Sequence, residues 1–366
     1  MSFFATRFNA RTMGKKNKGV ALVTALLVVS LATIMAVALS SRQYIDVRRT
    51  GNIMLADQAY LNALGIETIL AQALAKVRSK GVSKEDNSEF FNRAIAAINL
   101  QFGNFGGGTI QIEPVGYPEA RFNVNSLIDD NDKPNTKQIK RYRNLLVEVL
   151  RDLQNSTPVD DLVNPLVDWL DENDDVSPAG AEDSVYESKE QPYKTANRMM
   201  ASASELRLVE GYTDELLNGT EIVEDGETIK IPGILAYVSA LPDHNTTLNI
   251  NLVDEPKQFM ALSTYIEEQV AKDLIVGEGE EPYKDPKDFK SSKALDSISG
   301  TLKKGNRKQV DDDLKAISMD TQSSYFELKI TSTLGQSTVV LNSLIFVNTS
   351  GTKFEVESRA IGTDGI

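Results

Sequence analysis

GVALVTALLVVSLATIMAVALSS, residues 19–41, is a run of 23 residues without a charge. At 1.5 Å per residue a helix of this length reaches about 35 Å, enough for a hydrocarbon core of roughly 30 Å. Before it stand Arg7, Arg11, Lys15, Lys16 and Lys18 and no acid. That asymmetry puts the N-terminus in the cytoplasm and the rest of the chain outside. After it the chain continues without proline into RQYIDVRRTGNIMLADQAYLNALGIETILAQALAKV, residues 42–77, with apolar residues at helical spacings. Ile53, Leu61, Leu64, Ile69, Leu74 and Val77 mark the expected apolar face, and Gly51 and Gly65 the expected bend points. The pattern predicts one helix from Val20 to near Lys80, on the order of 90 Å long. Its first half is apolar all round and its second half amphipathic.

Three readings of this N-terminus compete. A secretory signal peptide would be cut near the small residues 36–38, but the apolar run exceeds an ordinary 7–15-residue core and has no polar segment before the helix continues. A plain membrane anchor needs nothing beyond the span. The third depends on the junction, where the basic leader ends in Lys18-Gly19 before Val20. A basic leader, a glycine at its end and a long apolar helix together resemble a type IV pilin-like precursor. The resemblance implies that a prepilin peptidase cuts between Gly19 and Val20. The mature chain, residues 20–366, then carries 34 basic against 52 acidic side chains. Pilins usually carry a glutamate five residues into the mature chain, where this sequence has Thr24. A subunit without that carboxylate lacks a buried charge partner for a neighbour's amino terminus, which matters least if nothing has to be registered above it.

Composition narrows the rest. The 366 residues carry 39 Lys and Arg against 52 Asp and Glu, a formal charge of −13, with 41% apolar and 25% charged residues. That is packed protein of two or three domains, not a disordered chain. No cysteine is present, which excludes disulfides, thiol nucleophiles and thiolate metal sites. His244 is the only histidine, too few for a histidine-rich metal site. The acidic balance argues against nucleic acid, whose phosphates need clustered Lys and Arg.

The C-terminal end reads as β. YFELKIT (325–331), TVVLNSLIFVN (338–348) and KFEVESRA (353–360) are separated by glycine-containing turns and form a three-strand meander. Residues 109–113 and RFNVN (121–125) are further strand candidates, with a glycine-rich connection at 103–108. Between these pieces lies an insertion, residues 135–320. TKQIKRYRNLLVEVLRDL, NPLVDWLDE, ELRLVEGYTDELL, IPGILAYVSAL and PKQFMALSTYIEEQVAKDLI look helical within it. Pro158, Pro165, Pro232 and Pro256 stand near expected starts, EDGE (224–227) suits a hairpin, and 277–306 reads largely as a mobile loop. FNVN (122–125) and LNIN (248–251) echo each other. The expected fold class is α+β: a pilin-like long N-terminal helix on a small antiparallel sheet, with a large inserted, mostly helical domain. The expected divisions are 1–19 leader, 20–80 transmembrane and assembly helix, 81–134 first part of the pilin-like domain, 135–320 insertion and 321–366 closing strands.

VALVTALLVV, RRTGN, DQAYLNALG, RFNVNSL, DWLDENDDVSPAGAEDSVYES, YKTANRMMASASELRLVEG and LNIN together make the chain similar to the K-type minor pseudopilins of bacterial type II secretion systems. The resemblance runs along nearly the whole chain. It implies a place with the I-type and J-type minor pseudopilins at the tip of a short periplasmic fibre, and a role that is not enzymatic. That family also lacks the usual glutamate, so Thr24 conforms to it.

DENDDVSPAGAED, residues 171–183, is the main chemical constellation. Asp171, Asn173, Asp175 and Ser177 alternate, and Glu182 is twelfth, the spacing of an EF-hand calcium loop. Place six holds Val176 where an EF-hand needs glycine, and Pro178 constrains the bend. An oxygen-ligand calcium site using Asp171, Asn173, Asp175, Glu182 or Asp183 is therefore expected, in place of a regular EF-hand. A solvated acidic loop after the Trp169 helix is the alternative. The family resemblance adds an association with bound calcium, a plausible staple where disulfides are absent. Asp129, Asp130 and Asp132 form a second oxygen-rich loop, the adjacent Asp311, Asp312 and Asp313 read as a solvated helix start, and His244 as a surface residue.

The expected function is a tip subunit of the type II secretion pseudopilus, supporting fibre assembly and export of folded proteins. Gly19 and Val20 serve processing, and Thr24 marks the altered position. The apolar face including Leu22, Leu26, Val29, Ile53, Leu61 and Leu64 serves helix–helix assembly. Partners are the I-type and J-type subunits, other pseudopilins of the fibre, the prepilin peptidase and the inner membrane, which the chain crosses once with its C-terminal domain in the periplasm. A minor pilin of a surface type IV pilus and a membrane-anchored periplasmic enzyme are the rival readings.

Overall fold

The computed structural model describes residues 18–80, 95–98, 100, 108–224, 226–277, 281–298 and 304–362. Residues 1–17 of the expected leader and 103–107 of the expected glycine-rich connection lie outside the described residues. Residues up to Asp57 form one compact unit and Gln58 onward another.

One helix, Lys18–Lys80, runs without interruption through Gly51 and Gly65, the expected bend points. At either glycine an added Cβ would meet nothing within 4 Å, so packing does not require glycine there. In the first unit the helix is bare, with Val20, Leu22, Leu26, Val29 and Ile53 all exposed. In the second, it buries Ala59, Ala63, Ile66, Leu70, Ala71, Leu74 and Ala75. This face differs from the expected one. Leu64 and Leu74 lie against the core, but Leu61 is 64% and Ile69 42% exposed. The alanines mark the buried side because their small volume lets the helix come close to a sheet, which a search for large apolar residues overlooks.

That sheet has four antiparallel strands in the order Gly108–Ile112, Tyr325–Leu334, Ser337–Val347, Phe354–Ile361. The expected meander is present, and residues 108–112 add the fourth strand from far upstream. Alternation along Tyr325–Leu334 sends Phe326, Leu328 and Ile330 to the helix, where they meet Leu341, Ile345 and Val347. Glu67 is 1% exposed in this interface. The Arg359 guanidinium grips its carboxylate, with Nη2 donating at 2.7 Å and Nε at 3.0 Å, and the Ser343 hydroxyl also donates to it. A buried charge held this way fixes one register of helix on sheet.

The chain leaves and re-enters the sheet through one neck. Gly116 and Glu327 exchange backbone hydrogen bonds of 2.9 Å, Arg121 pairs with Glu327 at 2.5 Å, and Glu119 Oε2 accepts the N–H groups of Ser324 and Tyr325. Beyond the neck, the insertion has two cores. The first gathers Phe122, Val124, Leu127 and Ile128 with the helices Thr136–Asp152 and Asp160–Leu170 and with Tyr186, Leu206, Leu216 and Tyr237. The second gathers Leu248, Ile250, Phe259, Leu274, Phe289, Leu295, Val310 and Leu314.

The echo of FNVN and LNIN is structural. Phe122–Asn123 and Leu248–Asn249 each pair in parallel with a two-residue strand, Val238–Ser239 and Met319–Asp320 respectively. In each copy the first asparagine accepts the N–H of the second, Asn125 or Asn251. That second asparagine then holds both backbone groups of a distant residue: Asn125 those of Met200 (2.9 and 2.8 Å), Asn251 those of Tyr283 (2.9 Å each). RFNVN thus shrinks to two strand residues outside the four-stranded sheet, because Phe122 and Val124 are drawn into the first core of the insertion.

Two further expectations change. IPGILAYVSAL is no helix; it holds the end of strand Glu227–Pro232, a 3₁₀ turn Ile234–Ala236 and the strand Val238–Ser239. Gly233 crosses the base of the hairpin, where a Cβ would lie 2.4 Å from Gly219 N and 2.5 Å from Leu217 O. The segment 277–306 is not mainly loop, since Pro286–Lys290 and Lys293–Ser297 are helices anchored by buried Phe289 and Leu295, each capped by the preceding Asp285 or Ser292; 278–280 and 299–303 lie outside the described residues. The EDGE hairpin, Gly219–Glu224 with Glu227–Pro232, is present. Pro165 lies inside the helix Asp160–Leu170, not at its start.

Candidate functional site

The helix Asp160–Leu170 delivers Asp168 and Trp169 to the interior and ends at Asp171. The chain then loops out and returns through residues 177–180, which close over the Asp168 carboxylate. Ser177 N–H donates to Asp168 Oδ2 at 3.1 Å, Asn164 Nδ2 reaches Pro178 O at 2.7 Å, and Gly180 N–H reaches Ser177 O at 2.8 Å. A Cβ on Gly180 would stand 2.0 Å from Asp168 Oδ2, so any side chain there would have to displace the Asp168 carboxylate. The glycine this loop needs is therefore at place ten, where the backbone passes the carboxylate, and Val176 at place six is exposed.

Asp171 is 4% and Glu182 3% exposed, and both share the site with the fully buried Asp168. Burial, with the negative charges of Asp168 and Asp132 behind it, pushes the Asp171 carboxyl up to about 6. Burial also raises Glu182 to about 7, aided by Asp168, Asp171 and Asp174 and opposed by the hydrogen bond from Thr195. Asp168 Oδ1, Asp171 Oδ1, Glu182 Oε1 and Asn197 Oδ1 are buried oxygens without a hydrogen-bond partner among the described residues. Trp169 Nε1 is buried and unpartnered as well. Among the described residues no three His, Cys, Asp or Glu side chains converge closely enough to chelate an ion as they stand. The donor set nevertheless fits a hard cation, because unsatisfied buried carboxylate and amide oxygens are the ligands calcium takes and are costly to leave unmatched.

The expected ligands fall into two groups. Asp171 and Glu182 face the interior. Asn173 Oδ1 caps its own turn by accepting Asp175 N–H at 2.8 Å, and Asp175 is exposed. Asp183 is already paired: Lys194 Nζ at 2.6 Å and Thr195 Oγ1 at 2.6 Å donate to it and hold it down at about 2. Asp168, Asp132 and Asn197 were not among the ligands expected. Asp168 stands one helical turn before Asp171, a spacing that places two acids on one face. Asp132 arrives from another loop to accept the N–H of Glu172. The second acidic loop does not form a site of its own: Asp129 caps its own turn, Asp130 holds Asn245 at 2.6 Å, and Asp132 turns to the 171–182 loop. Asp311, Asp312 and Asp313 diverge to Arg307, Lys315 and Lys140. His244 is partly buried, with Nδ1 2.9 Å from Asn125 O, inside the first asparagine lock.

The second candidate site is the exposed helix. By length and composition the Lys18–Lys80 helix can cross a membrane, and none of its apolar window is buried within the chain. Gly19 and Val20 sit in its first turn. Thr24 Oγ1 turns back onto Val20 O (3.1 Å) and Ala21 O (3.0 Å), so the hydroxyl is satisfied within the helix. Leu22, Leu26, Val29, Ile53 and Leu61 are exposed, whereas Leu64 packs against the sheet core and is partly spent on folding.

A long helix laid on a small antiparallel sheet, with a separate two-core insertion, defines a pilin-like protein of the pseudopilin kind. A family model described as type II secretion system protein K matches residues 120–221. The chain is 28% identical over 356 residues to type II secretion system protein K of Pseudomonas aeruginosa, covering 97% of this chain and 96% of that one. It is 30% identical over 248 residues to the protein of the same name from Pectobacterium carotovorum, covering 66% and 69%. Its fold is similar to a chain of the crystal structure of the GspK–GspI–GspJ complex from the enterotoxigenic Escherichia coli type 2 secretion system. There the TM-score is 0.61 at 19% identity, covering 86% of this chain and 100% of that one. The chain belongs to the type II secretion system protein K family.

Proposed function

We propose that the chain is the tip subunit of a periplasmic pseudopilus, held first in the inner membrane by residues 20–41 and then packed by the same helix against other pseudopilins. The observation that carries this reading is the bare helix: a bilayer-length apolar run followed by exposed Ile53 and Leu61, on a chain whose other apolar residues are largely enclosed in cores. Such a surface needs lipid before assembly and neighbouring helices after it. Processing between Gly19 and Val20 by a prepilin peptidase frees the helix from its basic leader. The satisfied Thr24 hydroxyl offers no carboxylate to a subunit above, and the insertion on its neck supplies the bulk that ends a stack. I-type and J-type minor pseudopilins are the expected neighbours, by analogy with the GspK–GspI–GspJ complex. The role is mechanical, in support of export across the outer membrane, and involves no reaction step.

Calcium belongs to this proposal as a structural ion. Asp168, Asp171 and Glu182 would hold it with Asn197 and loop carbonyls beside them, joining the end of the Trp169 helix to the segment 193–200. It supplies positive charge to carboxylates that burial otherwise disfavours. Coexpression of the full chain with a prepilin peptidase and with I-type and J-type subunits tests the main reading. The expected result is a mass loss equal to residues 1–19 and recovery of a ternary complex. An uncleaved chain, or one cut near Ala38, refutes it.

A further inference from the structure

Immediately after the apolar run the helix carries Arg42, Tyr44, Arg48 and Arg49, all exposed. The Arg48 guanidinium lies 4.7 Å from the centre of the Tyr44 ring. None of the three arginines takes part in an ion pair among the described residues, although Asp46 lies between them. Arg42 and Arg49 are seven residues apart and share one side of the helix, while Arg48 stands about 100° further round with Tyr44. The basic groups therefore occupy an arc of about 120°, with Asp46 beside Arg42 at its edge. The eight residues 42–49 cover roughly 10 Å beyond the span, and the interfacial zone of a bilayer is about 5–8 Å deep on each side. Arginine stems reach back along an apolar surface to bring the charge to headgroup level. On the outer side of the membrane these charges run against the usual bias, which confines Lys and Arg to the cytoplasmic flank. Something has to compensate for them there.

We infer that Arg42, Arg48 and Arg49, with Tyr44, form a basic arc that binds anionic phospholipid headgroups in the outer leaflet of the membrane the helix crosses. This rests on the membrane-held precursor proposed above. Guanidinium groups donate in a fork that matches a phosphate, and a tyrosine ring suits the same depth. Lipid is favoured over a partner helix because all three groups fall within about 10 Å of the end of the apolar run, at headgroup depth, where an extended partner helix would need contacts along its length.

The full-length chain in nanodiscs of phosphatidylcholine and phosphatidylglycerol provides the test, with lipids retained by the chain counted by native mass spectrometry. The wild type should retain phosphatidylglycerol about fivefold above its share of the bilayer, equivalent to about 1 kcal/mol. Arg42→Gln, Arg48→Gln and Arg49→Gln together should lower that enrichment by about half, the five Lys and Arg before the span retaining the rest, while insertion into neutral discs stays unchanged. Arg→Lys at the three positions should keep part of it. Equal enrichment in wild type and the glutamine variant, with both inserted, overturns the lipid-binding arc alone. So does a glutamine variant that keeps its lipids but loses pseudopilin partners, since the arginines then serve an acidic neighbour. Failure of the wild type to enter neutral discs overturns the membrane reading itself.

Discussion

Calcium should tighten onto the 168–182 loop as protons leave it. In the cation-free protein Asp171 titrates near 6 and Glu182 near 7, both raised by burial. A calcium ion must displace those protons, so its apparent affinity falls by the factor (1 + 10^(pKa−pH)) for each carboxyl. Treating the two as independent, that product is about 140 at pH 5.5 and about 1.4 at pH 7.5, so affinity should rise about 100-fold across the interval. About one proton should be released per ion bound near pH 6.5. Trp169, the only tryptophan, is buried between Asp168 and Asp171 and reports directly on the loop. The assay is a calcium titration of the full-length chain in detergent micelles, followed by Trp169 fluorescence at three pH values, with the thermal midpoint read in parallel. Calcium at about 100 times its dissociation constant stabilises by about 2.7 kcal/mol, or roughly 5–10 °C for a domain of this size. The sign of the metal-free pH dependence is also set. Carboxyls raised in the folded state favour it below their unfolded values near 4, and that contribution is lost as pH rises through about 6 and 7. The metal-free midpoint should therefore fall over this window, and calcium should remove the fall. Glu182→Gln should cost the calcium response while leaving the metal-free protein at pH 8 as stable as the wild type or more so. No thermal or fluorescence response at about 10 mM calcium, or an affinity flat across pH, refutes the assignment.

Glu67→Ala should destabilise the helix–sheet unit by about 2–3 kcal/mol in denaturant unfolding, because it orphans the buried Ser343 hydroxyl; the half-exposed Arg359 can still reach water. Arg359→Ala should cost about as much or more, by leaving the Glu67 carboxylate buried and unpaired, and the double variant should cost less than the sum of the two. Gly180→Ala forces a methyl onto Asp168 Oδ2 and should cost about 1–3 kcal/mol and weaken the calcium response, read in the same titration. Gly65→Ala should do the opposite and raise the free energy of unfolding in denaturant by about 0.5–1 kcal/mol, since the added Cβ meets open space within a continuous helix.

Much of the architecture was legible because it depends on period. The apolar run 19–41 and the helix after it follow from an unbroken 3.6-residue pattern without proline, and the closing strands from alternation between glycine turns. What period could not give was which side of the helix the sheet covers. Large apolar residues pointed to Ile53, Leu61 and Ile69 as well as to Leu64 and Leu74, but a helix close to a sheet also uses alanine, and Ala59, Ala63, Ala71 and Ala75 mark the buried side together with Ile66, Leu70 and Leu74. Nothing local marks Glu67 as buried, because its partners, Arg359 and Ser343, lie almost 300 positions away. In the insertion, IPGILAYVSAL has helical spacing, yet Gly233 must pass backbone at the hairpin base, and that close crossing overrode the period. Phe289 and Leu295 sit in a stretch whose charge and proline content suggested a loop, and only the second core explains their burial.

The acidic loop divides the same way. The sequence by itself determined that residues 171–183 concentrate oxygen ligands at calcium-like spacing, because spacing along a short loop is a local property. It equally determined the apolar span and its basic flank. Only the tertiary structure decided which oxygens turn inward. Asp183 is neutralised by Lys194 and Asn173 is spent on its own turn, while Asp168 and Asp132, from a neighbouring helix and a distant loop, come to face Asp171 and Glu182. Burial is a property of the packed chain, and burial is what raises the Asp171 and Glu182 carboxyls and leaves oxygens of Asp168, Asp171 and Glu182 without a hydrogen-bond partner among the described residues.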